Sequence, residues 1–305
     1  MKSKDLFDAF KKQFDVVGVI KSTTYIKSVD KIQVSEIKPP YPTMVVLGLV
    51  YPKRILSSNQ EQAVTSFYTF GTDYHQVLKK RADKVMQDIK VAYTIGIDNH
   101  PYDERLAAQI AGIGFFGKNQ LIINEDYGSY LFLGIVFVNI EITEEITHKV
   151  TDSCGDCRKC IVACPMNALT DSGYEMTKCI SYYNQEKQLL THDQTTHNYC
   201  LFGCDICQLV CPKNIGKGSF IHPEFEMSGK EKVKFEDLFG LSSKDFNLKY
   251  QNMAYLWKGK TVLMRNGLTL LINDKNHRYD HLIEDSINKV KAPWYEALAR
   301  EFIKK

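Results

Sequence analysis

Cys154-Gly-Asp-Cys157-Arg-Lys-Cys160-Ile-Val-Ala-Cys164-Pro165 is the stretch from which the organisation of this chain is read. Its spacing is that of the bacterial ferredoxin run, C-x2-C-x2-C-x3-C-P, in which three thiolates hold one [4Fe-4S] cluster and the fourth ligates another. A crossing ligand demands a second group downstream. Cys204-x2-Cys207-x3-Cys211-Pro212 supplies it, and Cys179 stands between the two runs as the remaining ligand. The expected sets are Cys154, Cys157, Cys160 and Cys211 for one cluster, and Cys164, Cys179, Cys204 and Cys207 for the other. Soft thiolate sulfur suits iron in a cuboidal cluster, and short spacers let one tight loop wrap it. Zinc also takes C-x2-C pairs, but its structural sites draw four ligands from two separated pairs, whereas here a fourth cysteine with its proline closes a run of three. Cys200 is left over and reads as a buried thiol. Two adjacent clusters imply a relay of single electrons whose destination lies elsewhere in the chain.

Outside this block there is no cysteine, because all nine fall between Cys154 and Cys211. The longest apolar stretches, Met44 to Tyr51 and Tyr130 to Val138, fall far short of the roughly 20 residues that span a bilayer, so no transmembrane helix is expected. Lysines and acids interrupt the first dozen residues, which excludes the unbroken apolar centre of a signal peptide. A cytoplasmic address follows, and in that compartment thiols stay reduced and serve metals rather than disulfides. With 305 residues, 44% hydrophobic and 25% charged, the chain has the composition of a globular protein of two or three units. Its net charge of +3 is unevenly spread: from Pro212 to Lys305 there are 17 Lys and Arg against 12 Asp and Glu. A positive carboxyl-terminal module suits an anionic partner such as RNA; the alternative is a solvated basic surface.

Before the cysteines, Leu6, Phe7, Phe10 and Phe14 recur at helical spacing, and Val16 to Ile20 reads as a short buried strand. Met44 to Val50 is a second strand. Leu78, Ala82, Val85, Met86 and Ile89 mark one face of a helix over Asp73 to Lys90, and a strand is expected at Ala92 to Ile97. After the turn Asp98-Asn-His-Pro101, Leu106, Ala107, Ile110 and Ala111 form another helical stripe. Gly112, Gly114 and Gly117 loosen the chain before a strand near Leu121, and Tyr130 to Ile140 is apolar enough to be a central strand buried on both faces. The expected class is α+β: a layered α/β domain over residues 1–149, a ferredoxin-like double-cluster domain over 150–217, and a short basic helical module over 218–305. In the last module Val262, Leu263, Leu268, Leu271 and Ile272 form one core face, and Ile283, Ile287 and Val290 another.

Several of these segments together resemble the epoxyqueuosine reductase family, cobalamin and iron–sulfur enzymes of tRNA queuosine synthesis. The likeness is carried by Asp98-Asn-His-Pro101 with Glu104-Arg105 and Ala107-Ala108, by Ala111-Gly-Ile-Gly-Phe-Phe-Gly-Lys-Asn119, and by Gly128-Ser129. Gly71-Thr-Asp-Tyr-His75, Cys179-Ile-Ser181, Gly203-Cys-Asp205, Trp257-Lys-Gly-Lys260 and Arg265-Asn266 extend it. The resemblance implies a base-off cobalamin fed with low-potential electrons by the clusters, which reduces the epoxide of epoxyqueuosine to an alkene with loss of water. It implies Asp98 as the proton donor beside the cobalt. Burial at the end of a strand would raise the Asp98 pKa toward the working pH, while Asp103 is better placed to cap the following helix. It implies cobalamin contacts from Lys118, Asn119, Ile122, Ser181 and Asp205, with the glycines bringing backbone close to the corrin; Ser181 and Asp205 could equally be capping residues. His100 is the first cobalt ligand one would consider, yet the family leaves that face open. Tyr74 and His75, an aromatic pair opening a helix, read as core.

The expected partners are tRNA, read through its anticodon region, and a low-potential donor such as a flavodoxin or ferredoxin; the chain is expected to act as a monomer. Lys289, Lys291, Arg300, Lys304 and Lys305 favour a polyanion over a small substrate. Three departures from the family stand out. The stretch between Ile20 and Met44 is short, Asn99 and His100 replace the usual small residues of the Asp98 turn, and the chain stops at Lys305 before the full set of helical repeats. The rival readings are a related cobalamin reductase of a small molecule, a ferredoxin-like donor to a corrinoid protein, and a zinc-bearing RNA-binding module.

Overall fold

The computed structural model describes residues 2–30, 38–220 and 222–304. Residues 31–37, within the short stretch after Ile20, and Lys305 of the basic group lie outside the described residues. The chain forms two compact units that are interleaved in sequence. Residues 1–52, 74–157 and 211–222 make the first; residues 53–73, 158–210 and 223–305 make the second. The linear division at 149 and 217 therefore does not coincide with the compact units.

The first unit is built on a sheet of β1 (Val16–Lys21), β2 (Thr43–Val50), β3 (Tyr93–Gly96) and β4 (Leu131–Val138), in the order β1-β2-β4-β3. Every pairing is antiparallel: Val19 faces Val45, Val45 faces Val136, and Val136 faces Ile95. The alternation of strands and helices was compatible with a parallel sheet, but the strands meet head to tail. Both faces are nonetheless covered, which is why β2 and β4 are apolar throughout rather than alternating. Helices α1 (Ser3–Lys11), α2 (Ser22–Asp30), α3 (Tyr74–Ile89) and α4 (Glu104–Ile110) provide the cover. Met44, Val46, Ile135 and Phe137 pack against Tyr25 and Val29 of α2 and Ala107 and Ala108 of α4. On the opposite face Gly134 lies under Leu78 of α3. Asp103 caps α4, its Oδ1 accepting from the backbone amides of Arg105 at 2.9 Å and Leu106 at 3.1 Å, as its position before the helix required.

The second unit centres on a cluster around α6 (Lys260–Asn273), packed by α7 (Asp280–Lys289), α8 (Pro293–Ile303) and the short helix Phe235–Gly240. Helix α5 (Ile180–Tyr183) is the single turn that follows Cys179. The expected core faces are present, with Val262, Leu263, Leu268, Leu271 and Ile283 buried. Yet α6 is not amphipathic: Lys260, Arg265, Asn266 and Thr269 are buried as well. No helix among the described residues is long and apolar enough to cross a membrane.

Candidate functional site

The cysteines divide between the units as the chain does. In the first unit Cys154 and Cys211 pack with Phe115 and Ile123. Burial raises the Cys211 thiol, and the neighbouring Cys154 and Cys157 sulfurs raise it further. The second unit gathers Cys164, Cys179, Cys204 and Cys207 with Cys160. Burial lifts Cys207 well above the ordinary thiol range, and Cys204, Cys179, Cys160 and Cys164 add to the shift. Burial likewise pushes Cys204 up to about 12. None of the nine cysteines is in a disulfide. Clustered thiols are a donor set that suits a cationic iron cluster, because the metal supplies the charge that makes thiolates stable. Hydrogen bonds reach these sulfurs from backbone and side chains; the Lys118 amide donates to Cys154 Sγ at 3.4 Å, and the Tyr199 hydroxyl to Cys204 Sγ at 3.5 Å. Cys200 is a buried thiol, as expected, donating to the Gly203 carbonyl at 2.9 Å.

Asp98 occupies a tight turn at the end of β3 with φ +54°, a left-handed conformation that Asp tolerates better than most residues. Its carboxylate accepts from the Tyr74 hydroxyl and lies 2.9 Å from His75 Nε2, both on the first turn of α3. Its backbone amide donates to Glu104 Oε1 at 2.9 Å, and His100 Nε2 lies 3.1 Å from the same oxygen. His100 Nδ1 accepts from the Tyr102 amide at 3.1 Å, so the proton sits on Nε2 and points to Glu104. Both nitrogens of His100 are thus committed, and the ring offers no free ligand.

The electrostatics correct one expectation. Desolvation does push the Asp98 carboxyl up, but the hydrogen bonds from His75 and Tyr74 and the His75 charge outweigh it, so its pKa lies below the ordinary carboxylate value. Burial is the largest single influence, and it is the hydrogen bonds and the His75 charge taken together that exceed it. The raised carboxyl is Glu104, pushed up by desolvation against the His100 hydrogen bond, with the Asp98 charge adding to the rise. Sequence reasoning missed Glu104 as an acid and placed Tyr74 and His75 in the core. Tyr74 does stack on Phe132 at 4.2 Å, but it also turns its hydroxyl to Asp98. The signal that could have found the pair was Asp73-Tyr-His75 among the family segments.

The glycine run lies beside the first-unit cysteines. Gly112 has φ +71°, and a Cβ there would sit 1.9 Å from the His148 carbonyl oxygen; at Gly114 it would sit 2.4 Å from that of Ile123. These glycines are therefore required by the chain's own backbone. Asn119 is buried, its Oδ1 accepts from Leu121 N at 3.3 Å, and its Nδ2 has no partner among the described residues. Ile122 pairs with Phe116 and is 4% exposed. In the second unit, Ser181 lies in α5 after its cap, Cys179. Asp205 is buried and does not cap the helix Ile206–Leu209; its carboxylate accepts from Ser66 Oγ and from the Phe67 amide at 3.2 Å.

Fold and site together define an iron–sulfur redox protein, with a double-cluster cysteine segment and an antiparallel α+β unit that carries a hydrogen-bonded aspartate turn. Family profiles agree. Residues 153–214 match the 4Fe-4S double cluster binding domain, and residues 32–101 match epoxyqueuosine reductase QueG, DUF1730. The epoxyqueuosine reductase of Lactococcus garvieae is 33% identical over 243 residues, covering 76% of this chain and 69% of the relative. That of Bacillus subtilis is 32% identical over 251 residues, covering 78% of this chain but 64% of its own length. The structure of epoxyqueuosine reductase from Streptococcus thermophilus superposes with a TM-score of 0.82 at 25% identity, covering 100% of this chain and 91% of that one. This chain belongs to the epoxyqueuosine reductase family, and with it to the oxidoreductases.

Proposed function

We propose that this protein reduces epoxyqueuosine to queuosine in tRNA, using cobalamin and two [4Fe-4S] clusters, with Asp98 as the proton donor. The observation that carries the reading is the Asp98 turn, held by Tyr74 and His75 and tied to Glu104, in a chain 33% identical to an epoxyqueuosine reductase.

The overall change consumes two electrons and two protons, converting the epoxide to an alkene and releasing its oxygen as water. Cobalamin, when bound and reduced through the clusters, supplies the low-potential electrons. The buried Asn119 Nδ2, a donor with no partner among the described residues, fits a polar cofactor group. In the first unit Lys118 and Asn119 are assigned to that cofactor, and in the second Ser181 and Asp205 carry the same assignment. Cys154, Cys157, Cys160 and Cys211 are assigned to one cluster, and Cys164, Cys179, Cys204 and Cys207 to the other.

Asp98 is exposed enough to reach a substrate, and the same hydrogen bonds that depress its pKa give it a source of protons. His75 at 2.9 Å can return a proton to the carboxylate after each transfer, and Tyr74 fixes the oxygen that receives it. Glu104 holds the turn in its left-handed form through the Asp98 amide. Residues 1–149 are assigned to the cofactor and the chemistry, 150–217 to electron delivery, and 218–305 to the tRNA. A low-potential flavodoxin or ferredoxin serves as donor, and the protein works as a cytoplasmic monomer.

The test is mass spectrometry of nucleosides after anaerobic incubation of the reduced, reconstituted protein with epoxyqueuosine-containing tRNA. Queuosine should form, and its absence would sink the reading. Asp98→Asn should lower the rate by about 10²–10⁴-fold, the usual worth of a positioned acid; full activity in that variant would remove Asp98 from the role.

A further inference from the structure

Arg265 has 0% exposure, which is rare for a charged side chain without a carboxylate partner. Its guanidinium donates to Glu186 O at 2.6 Å, Gln188 O at 2.7 Å and Tyr183 O at 3.2 Å, and its remaining bonds go to Asn266 Oδ1. Among the described residues no carboxylate lies within ion-pair distance of it; Glu186, the acid whose charge it feels, offers it a backbone carbonyl instead. Burial lowers its pKa to about 10, which still leaves it charged at neutral pH. The positive charge is therefore buried and met by carbonyl dipoles, by the Asn266 side chain and by the face of Trp294, whose ring centre lies 5.7 Å from the guanidinium carbon.

The carbonyls that hold it belong to the cluster loop. Tyr183 ends α5, the turn whose first amide bonds close on Cys179: Tyr183 N donates to Cys179 O at 2.9 Å. Arg265 thus caps the far end of a helical turn that starts at a cluster ligand, about 6 Å away along the helix axis. Asn266 completes the grip, its Nδ2 donating to Asn184 O at 2.6 Å and to Leu201 O at 2.9 Å. Asn184 in turn clasps Gly203, its Nδ2 donating to Gly203 O at 2.9 Å and its Oδ1 accepting from Gly203 N at 3.3 Å. One dipeptide of α6 therefore ties the arm that carries Cys179 to the arm that carries Cys204. Tyr183, fully buried, packs with Cys204 and Ile206 and fills the space between the arms.

We infer that Arg265 is a positioning residue for the cluster bound by Cys164, Cys179, Cys204 and Cys207: with Asn266 it fixes the separation of the Cys179 and Cys204 arms, and its uncompensated charge raises that cluster's reduction potential. The electrostatic part follows from sign alone. Reduction adds a negative charge to a cluster that already carries thiolate charge, and a fixed cation in a low-dielectric surrounding favours the reduced form. The inference rests on the cluster assignment and not on the substrate, so it stands or falls independently of the tRNA reaction.

The experiment is an EPR-monitored redox titration of the full chain, reconstituted anaerobically, with iron content measured on the same samples and no substrate present. In Arg265→Met one midpoint potential should fall while the other stays put. A tenfold lower ratio of reduced to oxidised cluster at a fixed potential corresponds to about 59 mV for a one-electron couple. Arg265→Lys, which keeps the charge but not the fork, should restore most of the potential. Selective loss of one cluster's iron in Arg265→Met, with both clusters kept in Arg265→Lys, would also support the inference. It is overturned if Arg265→Met keeps both clusters at unchanged potentials. It is equally overturned if the lysine variant fails as completely as the methionine one, because shape rather than charge would then be the requirement.

Discussion

The sheet of the first unit and the helix α6 of the second solve the same problem, a largely buried element, by opposite means. β2 and β4 pair with each other along their whole length, so most of their backbone groups are satisfied within the sheet and the side chains can be apolar. Around α6 the neighbouring chain is the irregular cluster loop, whose carbonyls have no ladder to join. Side chains satisfy them instead: Arg265, Asn266 and Asn273 donate to the carbonyls of Tyr183, Asn184, Thr195, Asn198 and Leu201. The lesson is that a cofactor-bearing loop cannot be buried under a purely apolar helix, because each orphaned carbonyl would cost about 1–3 kcal/mol.

That contrast can be broken by mutation. Phe137→Ala, which empties a fully buried site in the sheet core, should cost about 3–5 kcal/mol in denaturant unfolding while leaving the iron content of the folded fraction intact. Thr269→Val keeps the shape but leaves Asn198 Nδ2 without the acceptor it now has at 2.7 Å, and should cost about 1–2 kcal/mol. It should also speed iron release to a chelator. If the phenylalanine variant lost iron faster than the valine one, the division between an apolar scaffold and a polar cradle would be wrong.

The smallest effect expected lies in the pH dependence of Tm for two carboxylate variants, read over about pH 3–7. Asp98 has its folded pKa lowered, so the stability it contributes is present above the ordinary carboxylate value and lost as pH falls through the folded one. The advantage of the native protein over Asp98→Asn should therefore shrink on acidification. Glu104 has its folded pKa raised, so its ionisation costs stability, and that cost is relieved as the folded protein takes up the proton first. Relative to Glu104→Gln, the native protein should gain as pH falls. Slopes of the same sign would mean that the two carboxyls do not share the opposed environments seen around the turn.

Much of this was legible in the sequence. The cysteine spacing defined the cluster domain, and apolar runs located the ends of β1, β2 and β4 to within two residues. Strand direction was not legible, because a strand covered on both faces reads as a continuous apolar run whichever way its neighbours point. The burial of Arg265 and Asn266 was also hidden: on a helical wheel they look like a solvated face, and only the cluster loop, far away in sequence, turns that face inward. For Asp98 the turn was found but its electrostatics were inverted. The partners that decide its pKa, Tyr74 and His75, sit more than twenty residues upstream on another helix.

The interleaving of the two units governs how the chain can be made. The first unit contains residues 211–222, and the second cannot be completed without residues 53–73. During synthesis the amino-terminal sheet can pair once residue 138 has emerged, yet its unit stays unfinished until the ribosome has passed residue 222. The segment 53–73 waits longer still for the helices that enclose it. Contacts this distant in sequence make for slow, late completion. They also mean that no cut at a single peptide bond separates the two units.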